Sequence, residues 1–196
     1  MPRISRESLL TLEAYARARP DFRARLREHR RARTVLVGNH VTLIFEDELT
    51  VRYQIQEMLR AERIFEEEAI TAELEAYNPL VPDGTNWKAT MLIAYADEDT
   101  RREMLAKLIG IEDRVWMQVS GWPRVYAIAD EDLDRGTPYK TAAVHFLRFE
   151  VEPAMSATLR RTGYLAVGID HPHYRADVTP VDAGVCASLV GDLDPS

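Results

Sequence analysis

The chain has 196 residues, 46% of them hydrophobic and 29% charged, with a net charge of −7 and an isoelectric point near 5.3; this suits one sizeable core, or at most two small ones, and disfavours general nucleic-acid binding. The single cysteine, Cys186, excludes an intramolecular disulfide and a Cys-only metal site. No run approaches the ~20 apolar residues that cross a bilayer, and no apolar signal segment follows Met1, so a cytoplasmic protein without a membrane partner is expected.

Ser5 is suited to cap a first helix carrying Leu9, Leu10, Leu12 and Tyr15, and Pro20-Asp21 to restart a second through about Arg31. Together they form an N-terminal helical arm over residues 1–32. The period then changes. Thr34–Val37 and Val41–Phe45 are β-branched runs about Gly38-Asn39-His40, which predicts a hairpin. Between Thr50 and Ile70 the residues Val51, Ile55, Met58, Leu59, Phe65 and Ala69 fall on one helical stripe, and Glu62 projects near its centre. Thr71 caps a short continuation that ends at Asn78-Pro79.

Residues 78–87 form a loop with a Pro-Asp-Gly turn. Lys88–Tyr95 predicts a strand and Asp97–Leu108 a helix closed by Gly110. Arg114–Val119 and Arg124–Ile128 make a second hairpin about Gly121. The acidic stretch Asp130–Asp134 leads to a strand over Ala142–Val151. Pro153 opens a helix that stops at Gly163. Tyr164–Ile169 is a last strand, and Thr179-Pro180 starts a final helix to about Val190. Strand pairs mixed with helices, without strict alternation, predict a single α+β domain over 1–196, with a mostly antiparallel sheet of about six to seven strands.

The segments Tyr53–Arg60, Ala76–Met91 and Val144–Glu150, with Asp170-His171-Pro172, resemble an uncharacterised bacterial domain-of-unknown-function family over nearly the whole chain. Genes of that family tend to sit beside a rubrerythrin-type protein and an iron–sulfur subunit of heterodisulfide-reductase type. The resemblance implies an accessory role in redox or oxidative-stress metabolism, with those proteins as partners. It carries no reaction.

Three constellations bear on chemistry. A carboxylate on a buried stripe must be neutral, paired or metal-bound. Glu62 with Glu66 one turn on, His145 mid-strand and His171 after a strand would make a metal site for iron, manganese or zinc. The alternative is a structural network in which Glu62 pairs with Arg148 or His145, and no cofactor binds. Second, Asp83-Gly84-Thr85-Asn86, with Trp87 and Lys88, would either cradle an anion or form a rigid turn with Trp87 as a core plug. Third, in the run Arg17 to Arg33, residues Arg19, Arg23, Arg27 and Arg30 form one helical stripe; in so acidic a chain neutralisation within the molecule or a solvated face is expected, and as an interface the stripe suits an acidic protein partner, or the Asp130–Asp134 stretch of a second copy, better than nucleic acid. No Gly-x-Ser-x-Gly, dinucleotide-binding or Cys-x-x-Cys motif is present. Two readings follow: a metal-binding redox accessory protein, or a non-catalytic, dimeric binding or adaptor module whose polar core is architectural.

Overall fold

A computed structural model of the protein describes residues 4–129 and 139–194. The acidic stretch Asp130–Asp134 lies outside the described residues. The hairpin forms as expected: β1 (Thr34–Val37) pairs antiparallel with β2 (Val41–Phe45), Val37 facing Val41, and Gly38 takes φ +69° in the turn. β2 pairs with β3 (Asn86–Ile93), β3 with β7 (Val144–Glu150), and β7 with the short β6 (Ile128–Ala129). These make a five-stranded antiparallel sheet in the order β1-β2-β3-β7-β6.

A second antiparallel sheet, β5-β4-β8-β9, contains β4 (Val115–Val119), β5 (Val125–Tyr126), β8 (Leu165–His171) and β9 (Tyr174–Val178). The α+β class and antiparallel pairing match the sequence reading, but the strands divide into two sheets. The return arm of the Gly121 hairpin is what divides. Tyr126 pairs with Trp116 in one sheet, Ile128 with Arg148 in the other, and the Ala127 amide donates to Val115 O between them (2.9 Å).

Alternation explains the burial. Val41, Leu43 and Phe45 of β2, and His145, Leu147 and Phe149 of β7, point inward at every second position. The apolar ones among them share one core with Val115, Met117 and Val119 of β4 and Leu165, Val167 and Ile169 of β8. Helices α4 (Glu98–Lys107), α5 (Pro153–Thr162) and α6 (Ala183–Val190) close this core through Leu105, Leu159 and Leu189. Gly163 ends α5 in the left-handed conformation, as its position predicts.

Several boundaries differ from the sequence reading. The N-terminal residues form one long helix, α1 (Leu12–Arg31), capped by Thr11 and running through Pro20, after a short 3-10 turn at Arg6–Ser8. The strand expected to be last has an antiparallel successor, β9, which alternates half-buried and exposed residues and carries Arg175 and Asp177 outward. The cap of α6 is Asp182, whose carboxylate accepts from the Gly184 and Val185 amides, rather than Thr179.

The largest correction concerns the long helix. Asp47 opens α2 (Glu48–Glu62) with a reciprocal capping box to Thr50. The helix stops at Arg63, a left-handed residue (φ 57°, ψ 40°), where Ile64 N bonds Leu59 O. A separate helix, α3 (Glu67–Tyr77), follows. Val51, Ile55 and Leu59 pack with Ile70, Leu74 and Val81 and with Ile4 and Leu9 in a second, smaller core, against which Ile64 is also packed. Phe65, assigned to the stripe, is 70% exposed.

Candidate functional site

With the helix ending at Glu62, the premise of a buried carboxylate fails: Glu62 and Glu66 are both exposed, one at the end of α2 and the other at the start of α3. His145 is buried, as its alternation predicts. Its Nε2 lies 2.9 Å from Thr141 Oγ1, 3.0 Å from Ala142 O and 3.8 Å from Glu112 Oε2. His171 ends β8 nearly buried. Its Nε2 is 3.1 Å from Ile109 O, which requires the proton there, and its Nδ1 accepts from the His173 amide at 3.2 Å. Both ring nitrogens of His171 are therefore occupied within the fold. Among the described residues, no group of three or more His, Cys, Asp or Glu side chains converges as a metal ion needs. Arg148, the expected alternative partner of Glu62, is paired with Glu150 instead.

The loop after Asn78 is filled from within. Asp83 accepts from the Thr85 amide (2.9 Å), Thr85 Oγ1 (2.7 Å) and Asn86 Nδ2 (2.9 Å). Burial pushes its carboxyl up, but these bonds together hold it below the usual range. An acidic group already holds the turn's donors. Trp87 is fully buried, and its indole N–H donates to Leu189 O at 2.8 Å, tying β3 to α6. The core-plug reading holds.

The buried polar network lies elsewhere, around Arg33, which is 1% exposed. Its Nε donates to Phe45 O (2.9 Å) and its Nη2 to Glu46 O (3.0 Å); both terminal nitrogens engage Asp192. Asp47, 3.4 Å from Arg33 Nε, receives His29 Nε2 at 2.5 Å. The buried Glu46 carboxylate accepts from Thr50 Oγ1 (2.5 Å) and Thr90 Oγ1 (2.6 Å). Burial raises the Asp192 pKa, with Arg33 opposing the shift. This network binds α1, α2 and the end of α6 to the hairpin. Of the two outcomes expected for the arginine run, neutralisation within the chain or a solvated face, Arg33 takes the first; its only local signal is a position flanking β1, opposite the end of β2.

The other arginines separate by partner. Arg19 forms a two-point pair with Glu57 (both contacts 2.7 Å), which Tyr15 completes by donating its hydroxyl at 2.6 Å. Chiefly through the Arg19 bonds, Glu57 is lowered to about 2, with burial opposing. Arg31 pairs with Glu28 on the surface, and Arg25 lies over the Phe22 ring. Arg23, Arg27 and Arg30 have no carboxylate partner among the described residues. They line an open groove of about 650 Å³ with Pro20, Leu26 and Tyr53. The Arg30 guanidinium lies 6.0 Å from the centre of the Tyr53 ring, and its Nε is shielded from solvent without a hydrogen-bond partner.

Two clamps frame this groove. Arg19 and Tyr15 grip Glu57 of α2 toward one end, and His29 grips Asp47, the cap of α2, toward the other. Phe22 packs on Tyr53 between them, ring centres 5.7 Å apart. The walls are thus held by charge-assisted bonds, while the lining guanidinium groups stay available.

Fold and groove together define an α+β protein with two antiparallel sheets and a basic cleft between its first two long helices. The chain belongs to the DUF3501 family of proteins of unknown function, whose model matches residues 3–193. It is similar to a protein of unknown function from Burkholderia pseudomallei K96243, known from a crystal structure at 1.90 Å resolution. That similarity is 56% in sequence identity with a TM-score of 0.93, and it covers 98% of this chain and 100% of the other. No protein of curated function matches. Among the described residues, no helix is long and apolar enough to cross a membrane.

Proposed function

We propose that this protein is a non-catalytic binding module whose groove between α1 and α2 receives an anionic ligand. One observation carries the reading: Arg23, Arg27 and Arg30 crowd one cleft without a carboxylate, in a chain whose net charge is −7. Like charges on one helical face at i, i+4 and i+7 repel one another, and an anion between them removes that penalty. The neighbouring Arg19 and Arg33, by contrast, each have a two-point carboxylate partner. The redox setting implied by the family resemblance, with a rubrerythrin-type or iron–sulfur protein nearby, would give such a module its partners.

Isothermal titration of the full chain against a panel of multivalent anions tests this. Binding weakened at least tenfold in an Arg23→Ala/Arg27→Ala variant is expected. Failure of every anion, or binding indifferent to that variant, overturns the proposal.

A further inference from the structure

Resting on that reading and narrowing it, we infer that the groove's ligand is a small phosphate-bearing molecule with at least two negative charges. The groove's about 650 Å³ falls within the range of small-molecule sites. Its polar groups are guanidinium forks, whose planar donors match the oxygens of a phosphate in pairs, and a phosphate offers three oxygens to several forks at once. An isolated carboxylate has only two oxygens, enough for one fork. Residues 23, 27 and 30 spread along ~10 Å of one helix face, so a chain of two or more phosphoryl groups spans them better than a single one.

Depth points the same way. Leu26 is 4% exposed and supplies an apolar floor, so contacts inside are less screened than on an open surface. The protein's overall negative charge opposes long-range attraction of anions, so capture depends on short, multipoint contacts within the cleft.

The test titrates the full chain with inorganic pyrophosphate, ADP, citrate and an octaglutamate peptide. Pyrophosphate or ADP is expected to bind at least tenfold more tightly than citrate. ADP exceeding pyrophosphate assigns the ligand to nucleotides; equality assigns it to the polyphosphate group alone. Arg30→Lys, which keeps the charge but loses the fork, should weaken binding at least tenfold with the melting temperature unchanged. Arg27→Ala repeats the measurement if the Lys variant is unstable. Groove-dependent binding of octaglutamate alone, or of citrate as tightly as the phosphates, overturns the phosphate assignment and leaves the anion-binding module standing. Silence from every ligand overturns both.

Discussion

Arg33 and Asp192 face each other as a two-point ion pair across 159 positions of sequence, with Arg33 Nη1 3.2 Å from Oδ1 and Nη2 closing on Oδ2. Both side chains are almost wholly buried. The pair fastens the chain's last described turn to the start of the first hairpin.

Removing one member leaves the other desolvated and uncompensated, so Arg33→Ala should cost about 3–5 kcal/mol. Asp192→Asn keeps an acceptor and should cost less, about 1–3 kcal/mol. Urea denaturation measures both. Losses below half a kilocalorie in each variant would contradict the buried network.

The Glu57 carboxyl sits at about 2 in the folded protein against an ordinary 4.5. Folding therefore favours its ionised form. The resulting stability is complete above pH ~4.5 and disappears as pH falls toward 2. Glu57→Gln, which preserves an acceptor for Tyr15, should cost about 1–2 kcal/mol at pH 7 for this partly exposed pair. The gap between variant and parent should close between pH 5 and 2 in melting curves, and a constant gap would disprove the linkage.

Glu62→Gln should shift stability by less than about 0.5 kcal/mol, the usual range for a surface change away from buried networks. Elemental analysis of anaerobically purified protein before and after this substitution should give the same metal content. A metal loss confined to the variant would restore Glu62 as a ligand despite its exposure.

Arg63 holds a left-handed conformation at the end of α2, where glycine is free of the Cβ penalty. Arg63→Gly should therefore stabilise the protein by about 0.5–1 kcal/mol, read as a rise in denaturation midpoint. A fall would mean that the Arg63 side chain contributes more than its backbone loses.

Legibility tracked how local the determining interactions are. Thr34–Phe45 announced its hairpin through β-branched runs about a glycine, and Gly163 marked its helix end, because both depend on neighbours in sequence. The break after Glu62 has no such mark: arginine occupies the left-handed position, so the apolar period extends on paper past the real end of the helix. Glu62 then looked buried. Neutralisation of Arg33 within the chain is legible from the acidic balance, but its partner is not, since Asp192 is remote in sequence. The basic stripe was legible as a stripe, but not its division. Arg19 turns to Glu57, while Arg23, Arg27 and Arg30 open on the cleft, and only the packing of α1 on α2 separates them.

The crossing at Ala127 bears on how the molecule comes apart. A strand that starts in one sheet and finishes in the other acts as a seam, so pulling either sheet free must first tear backbone bonds at its own edge. Amide protons of Met117 and Leu147 should consequently exchange with solvent at matched rates, through one shared opening rather than two separate ones.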